Sequence, residues 1–348
     1  MQLNRNEIGR ILVIQLRAIG DVVQTTAVLP VLRQNFPGAR IHFLTTPAPE
    51  PLLTGLPELD RVLVYPYSAH DPLGFLKFIP VVRKQKYNLI LDYQVSPATA
   101  YLTALSGVRY RLGLKLNRRQ WVYNIISDAN HLPEYSAVQK CKALEKLGIF
   151  QVNRQPKIAI SGSALATAKQ FIREQGAEEH PLLVNITPGG KRPARQWNPE
   201  KIARLCEMLV RKHRAKIFLN WSGREKETVE KVRKMCQVEV TPLPEWSLDV
   251  FAAFLSQIDL HFSYDNGPKH IAIAVGTPTL ALFATDRPQV WNPVDDPNHP
   301  YILSDVPCRF CGLRKCRLMI CMKQIEPEAV LKKIEAIPAL QKKLKRDR

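Results

Sequence analysis

No stretch of the chain approaches the roughly 18 consecutive apolar residues of a membrane-spanning helix. The N-terminal MQLNRNEIGR runs straight into the strand-like ILVIQL with no signal-peptide core or cleavage site, so a cytoplasmic protein is expected. The G-x-G-x-x-G spacing is absent, which excludes an ordinary nicotinamide or flavin site. Zinc-finger, RNA-recognition and helix-turn-helix signatures are also missing, and nucleic acid is not expected as a partner. Low-complexity segments and short repeats are lacking too. Acid is scarce relative to base: 31 Asp+Glu face 50 Lys+Arg, a net charge of +19. Such an excess favours a polyanionic partner, either a phosphorylated substrate or an anionic lipid surface. The basic tail Gln341–Arg348 can be read as a headgroup contact or as a solvated, fraying end.

What is present is an ordinary globular composition, 45% hydrophobic, on 348 residues, enough for two domains. Ile11–Leu16 is a continuous apolar run, suited to a strand buried on both faces of a parallel sheet. Val22–Asn35 has helical spacing with Pro30 inside it, and Ala39–Thr45 begins the next strand, completing a β-α-β unit. Further strands are expected at Arg61–Tyr65 and Leu89–Tyr93, with a helix over Leu73–Lys86 and another over Ser136–Gly148 ending at its glycine. Arg109–Arg119 holds five bases and no acid, and reads as a solvated loop or a grip for an anionic acceptor. Polar and small residues over 150–179 mark a boundary. The alternation then restarts: strand Leu182–Ile186, a Gly/Pro/basic loop Thr187–Trp197, helix Pro199–His213, strand Lys216–Leu219, a turn at Ser222–Glu225 and helix Glu227–Cys236. Two successive β-α-β-α halves predict an α/β protein of two doubly wound domains. The boundaries are set at 1–160, a linker at 161–180, a second domain at 181–325, and a closing helix with basic tail at 326–348.

The stretch Ser263-Tyr264-Asp265-Asn266-Gly267-Pro268-Lys269-His270-Ile271-Ala272 carries the clearest chemistry. A strand before it, a tight turn and a proline-led helix after it make an anion site, because the first N–H groups of a helix lack partners and carry partial positive charge. Lys269 and His270 are expected to add donors there. Gly20-Asp21 lies where the first strand meets its helix, at the sheet edge where open α/β sheets bind ligands. On propensity alone Asp21 is a helix N-cap.

These segments resemble the bacterial heptosyltransferases, glycosyltransferase family 9, over nearly the whole chain from Ile11 to Ile337. The family's S-N-D-[ST]-G-P-x-H-x-A signature is matched at Asp265, Gly267, Pro268, His270 and Ala272, with Tyr264 for Asn and Asn266 for Ser/Thr. Its opening G-D-[VM], whose Asp is the proposed catalytic base, is matched by Gly20-Asp21-Val22. Pro188-Gly189-Gly190 followed by Arg195-Gln196-Trp197 resembles its P-G-[AG]…K-x-W-P segment, with Arg195 for Lys and Asn198 before Pro199. Arg and Lys are not interchangeable at such a place. Ala284 stands where the family often has Gly.

The resemblance implies a GT-B fold of two Rossmann-like domains with a cleft between them, the acceptor on the first and the nucleotide sugar on the second. It also implies an inverting transfer of heptose from ADP-heptose to the lipopolysaccharide inner core, at the cytoplasmic face of the inner membrane, without cofactor or metal. Asp21 would be the base, and Arg195 and His270 would stabilise the departing diphosphate. Gly20, Thr187, Gly189, Gly190, Lys191, Asp265, Asn266, Gly267 and Lys269 would line the substrates, with Arg192 a further cation at the diphosphate. Either Glu225 or Glu227 would meet the ribose hydroxyls; each is also explained as first-turn compensation of the helix dipole. Cys308, Cys311, Cys316 and Cys321 have a spacing that could hold zinc, but no metal requirement is expected. Cys141, Cys206 and Cys236 are expected to be buried and inert. Two other functions fit the same residues: a family member using a different sugar nucleotide, and a non-catalytic polyanion binder on the same fold.

Overall fold

The computed structural model describes residues 4–65, 74–116 and 119–344. The chain divides into two compact units, Met1–Ala159 and Ile160–Arg348.

In the first unit the elements run β1 (Arg10–Ile14), α1 (Ile19–Thr25), α2 (Val28–Asn35), β2 (Arg40–Thr45), β3 (Arg61–Val64), α3 (Gly74–Lys84), β4 (Leu89–Asp92), α4 (Pro97–Leu105), β5 (Tyr110–Leu114), β6 (Ile125–Ser127) and α5 (Ser136–Lys142). All strands pair in parallel, in the order β3-β2-β1-β4-β5-β6. The apolar run of β1 feeds both faces. Ile11 and Val13 enter one core cluster with Phe43 and Leu91, while Leu12 and Ile14 enter another with Leu44 and Ile90. That two-sided burial is why the run does not alternate with polar residues.

The second unit repeats the plan: α6 (Gly162–Glu174), β7 (Leu183–Ile186), α7 (Pro199–His213), β8 (Lys216–Leu219), α8 (Lys226–Met235), β9 (Thr241–Pro242), α9 (Leu248–Leu255), β10 (Leu260–Tyr264), α10 (Gly267–Ala274), β11 (Thr279–Phe283), α11 (Pro288–Trp291), β12 (Tyr301–Leu303), α12 (Ile320–Lys323), α13 (Pro327–Glu335) and α14 (Pro338–Leu344). Its sheet is parallel in the order β12-β11-β10-β7-β8-β9. Counted within each unit, both sheets have the order 3-2-1-4-5-6 of the dinucleotide-binding doubly wound fold. The fold is α/β, two Rossmann-like doubly wound domains of the GT-B type.

Four segments differ from the sequence expectation. The helix over Val22–Asn35 is two helices broken at Thr26-Ala27. Pro30 has no N–H to give Thr26, so a new helix starts two residues before it, with proline tolerated in its first turn. Arg109–Arg119 is not a loop over its first half but strand β5, with Tyr110 and Leu112 buried. Arg111 donates to the carbonyls of Val108 and Val122, and Arg109 pairs with Glu7 at 2.7 Å, so these two bases serve the fold; Arg118 lies outside the described residues. The span 161–180 holds α6, which packs on α9 and places Phe171 against Phe218, Trp246 and Phe254 in the second unit's aromatic core. Likewise α13 is no appendage: Val330, Leu331 and Ile334 share a core with Ile202, Leu205 and Leu209 of α7. Residues 345–348 of the basic tail lie outside the described residues.

Candidate active site

In each sheet the strand order reverses between the first and fourth strands, β1 and β4 in one unit, β7 and β10 in the other. Loops leaving such neighbours in opposite directions open a crevice, the usual ligand position of this architecture. The motif residues sit on these loops.

In the second unit the glycine loop leaves β7 and the signature stretch leaves β10. Ser263 and Tyr264 belong to the strand, not the turn. Tyr264 is buried, and its hydroxyl accepts from Trp197 N (3.1 Å) and donates to Pro188 O (3.2 Å). One phenol thus ties both ends of the glycine loop to the motif strand. Sequence reasoning noticed Tyr264 only as a departure; its role needed the loop's position. Gln196 donates to Gly190 O at 2.6 Å and pins the loop's middle. Asn266 caps α10 through its Oδ1, which accepts from Lys269 N. With Oδ1 so fixed, its Nδ2 has no acceptor among the described residues.

The cations cluster differently from the sequence expectation. Asp265 lies at their centre, 9% exposed. Arg195 donates to its Oδ2 (2.9 Å) and carbonyl (2.7 Å), Lys269 to its Oδ1 (2.9 Å), and His270 Nε2 lies 3.6 Å away. Burial alone would raise the Asp265 pKa, but Lys269, His270 and Arg195 outweigh it and hold the carboxyl well below its usual range. Arg195 also pairs with Asp286. Lys269, fully buried, donates additionally to Trp291 O (2.8 Å) and lies over the Phe283 ring; burial lowers its pKa and Asp265 raises it back in part. Lys269 and Arg195 are therefore not open donors: both are committed to carboxylates of the site's floor. Lys191 is exposed and, among the described residues, unpaired, while Arg192 lies 3.6 Å from Asp286.

The turn after β8 separates the two glutamates. Glu225 Oε2 accepts from Ser222 N and Oγ, both at 3.2 Å, and its side chain rests on the glycine loop. A Cβ at Gly189 would come within 2.9 Å of Glu225 Cβ, so only glycine admits this approach. Glu227 is exposed in the first turn of α8 and makes no such contact. Beneath the loop, Thr187 donates to Asn220 Oδ1 (2.6 Å), which also accepts from Asn185 Nδ2 (2.8 Å), itself 2.9 Å from His261 Nδ1. The Thr187 hydroxyl is thus turned inward. Burial lowers the His261 pKa to about 3, so this buried network is neutral.

The cysteine-rich segment lies alongside: Phe310 N donates to Ala284 O, Gly312 N to Thr285 O and Ala194 N to Arg314 O. Cys308 and Cys311 are exposed, Cys316 and Cys321 half-buried, and among the described residues no three metal-ligating side chains converge. Cys141 and Cys206 are buried, whereas Cys236 is half-buried.

In the first unit Gly20 is buried and Asp21 half-exposed in the first turn of α1. Asp21 is not the N-cap: that position is Ala18, whose N–H Asp21 Oδ2 accepts at 3.2 Å. The turn before it is held by amides. Gln94 Oε1 accepts from Leu16 N and Arg17 N, and Gln15 Nε2 donates to Gln94 Oε1 and Arg17 O. Across the crevice, Asp92 at the end of β4 accepts from Gln94 N, Val95 N and Tyr123 OH; burial raises its pKa to about 6.

The sequence model of glycosyltransferase family 9 (heptosyltransferase) matches residues 75–320. The chain belongs to glycosyltransferase family 9. It is therefore a glycosyltransferase. Lipopolysaccharide heptosyltransferase 1 of Campylobacter coli is 23% identical over 291 residues, covering 79% of this chain and 83% of that protein. A family 9 glycosyltransferase from Veillonella parvula has the same fold at TM-score 0.84 and 20% identity, with 97% of each chain covered. The Escherichia coli heptosyltransferase WaaC solved with ADP superposes at TM-score 0.72 and 19% identity, over 94% of this chain and 99% of that one. Among the described residues no helix is long and apolar enough to cross a membrane.

Proposed function

We propose that this family 9 glycosyltransferase moves a heptose from ADP-heptose to a hydroxyl of the lipopolysaccharide inner core, with inversion, and that Asp21 is its general base. The relatives named as lipopolysaccharide heptosyltransferases and the WaaC structure with ADP support the donor and acceptor. The observation that carries the reading is that each unit has a switch-point loop of its own chemistry. One presents a half-exposed carboxylate at a helix start; the other presents a glycine loop beside a helix N-terminus.

Each part has one role. Asp21 removes the acceptor hydroxyl's proton as its oxygen attacks the anomeric carbon from the face opposite the diphosphate. The anomeric C–O bond breaks and ADP leaves with the bonding pair. Backbone N–H groups of Gly189 and Gly190, the exposed Lys191 and the Asn266 amide supply donors where that charge grows. His270 acts beside them, while Arg195 and Lys269 hold Asp265 and the loop in place. Glu225, resting on Gly189, is the ribose ligand; its carboxylate can accept from two hydroxyls. The acceptor is membrane-held and phosphorylated, and the chain's excess of base suits it.

Asp21→Asn tests the base. Turnover with ADP-heptose is expected to fall about 10²–10⁴-fold, the usual contribution of such a group, with ADP affinity unchanged. Full activity in this variant would sink the assignment. Release of nucleotide from a panel of sugar nucleotides tests the donor, and a preference for another sugar would replace heptose.

A further inference from the structure

Lys140, on α5, is 6% exposed and takes no part in the chemistry above. An ammonium has three donors, and its hydrogen bond here goes to a neutral amide, Gln15 Oε1 at 3.2 Å. Its nitrogen also lies 5.4 Å from the centre of the Tyr93 ring, whose hydroxyl donates to the Lys140 carbonyl at 2.9 Å. Burying a cation this way costs several kcal/mol, and an apolar side chain of similar length would serve packing as well or better. A strained ionisable group of this kind beside a ligand crevice points to function.

The surroundings say which function. Helix α5 packs against α1, which carries Asp21. Gln15, the partner of Lys140, anchors the turn leading to Asp21 through Arg17 O and Gln94. Thr25 Oγ1 donates to the Asp21 carbonyl at 2.7 Å and lies 3.3 Å from Gln15 Oε1. Among the described residues, the charged or titratable groups facing Lys140 are Asp21 from α1, Tyr93 after β4 and Cys141 beside it. Burial pushes the Lys140 pKa down, and Asp21 is the strongest influence drawing it back up.

We propose that Lys140 is the positioning residue of Asp21, the buried countercharge that, through Gln15 and the start of α1, holds the carboxylate in its reactive orientation. This rests on Asp21 being the base. Lys140→Met, made in the wild-type and Asp21→Asn backgrounds, separates the two claims. In the wild-type background kcat falls about 10- to 100-fold, the range for slight misplacement of a reacting group. KM for the nucleotide sugar is unchanged, and Tm is equal or higher because a buried charge is gone. Lys140→Arg recovers part of the rate. In the Asp21→Asn background Lys140→Met costs nothing further, since the group it positions is already inactive. Full activity of Lys140→Met, or the same fold-loss in both backgrounds, overturns the proposal and leaves Lys140 a packing residue. An active Asp21→Asn single variant instead overturns the base assignment. If Lys140→Met does not fold, Lys140→Gln, which keeps a donor and drops the charge, is read the same way.

Discussion

The two units place a buried carboxylate at the same topological point and treat it in opposite ways. Asp92 ends β4 and Asp265 follows β10, the fourth strand of each sheet. Asp92 is surrounded by neutral donors, two backbone N–H groups and the Tyr123 phenol. That ring lies so close to Gly113 that a Cβ there would fall 2.5 Å from it. Among the described residues no cation lies in its hydrogen-bond shell, and burial raises the Asp92 pKa to about 6. Asp265 has Lys269, His270 and Arg195 around it, and its pKa is held below the usual range although burial opposes this. Depth is similar; the sign of the shift is decided by whether the neighbours carry charge. The unit proposed to bind the diphosphate uses its carboxylate to hold cations in register. The other surrounds its carboxylate with neutral donors.

Removing the charged version has the largest expected effect on stability. Asp265→Asn leaves the fully buried Lys269 ammonium without a carboxylate and frees one arm of Arg195. Breaking a buried pair from one side costs about 3–5 kcal/mol, read as a lower denaturation midpoint. The native contribution of Asp265 is present above the ordinary carboxylate range and is lost only as pH falls through its depressed value. An unchanged midpoint would mean the cluster is not the anchor described. Asp92→Asn should act in the other direction. Because the folded-state pKa is raised from 3.8 to about 6, ionisation of the unfolded chain destabilises the native state as pH rises through that window. Removing the ionisation stabilises by on the order of 3 kcal/mol at pH 7 and by about 0.5 kcal/mol at pH 4. Thermal melts of both proteins at the two pH values check this; a gap that does not widen with pH contradicts it. The smallest effect is at the loop. Gly189→Ala forces Glu225 off the glycine loop, and ADP affinity is expected to weaken about tenfold, near 1.4 kcal/mol. Calorimetric titration with ADP measures it, and wild-type affinity would place the ribose elsewhere.

Much of this was legible in the chain. The apolar run that begins at Ile11 read as a buried parallel strand because both its faces are covered. Pro268 marked the start of α10 to within a residue, since proline acts through local backbone chemistry. What was hidden is pairing across sequence. Arg195 read as a free donor because Asp265 and Asp286, its partners, are distant in the chain. Lys269 read as a surface donor because one turn of helix does not show that its side chain enters the core. Lys140 left no signal beyond a base in an amphipathic helix. The run of bases at 109–119 was misjudged because charge count masked the alternation of Tyr110 and Leu112.

The packing of α13 onto α7 bears on how the protein is made. The first unit's strands and core helices are all in hand by Ala159, so it can close while the rest is still being synthesised. The second unit's core takes in α13 as well. Ile202, Leu205 and Leu209 wait for Val330, Leu331 and Ile334, which leave the ribosome more than a hundred residues later. Throughout that interval an apolar helix face stands uncovered on a nascent chain. Chaperones would find their substrate there, and a stop codon that removed α13 would be felt in yield before it was felt in rate.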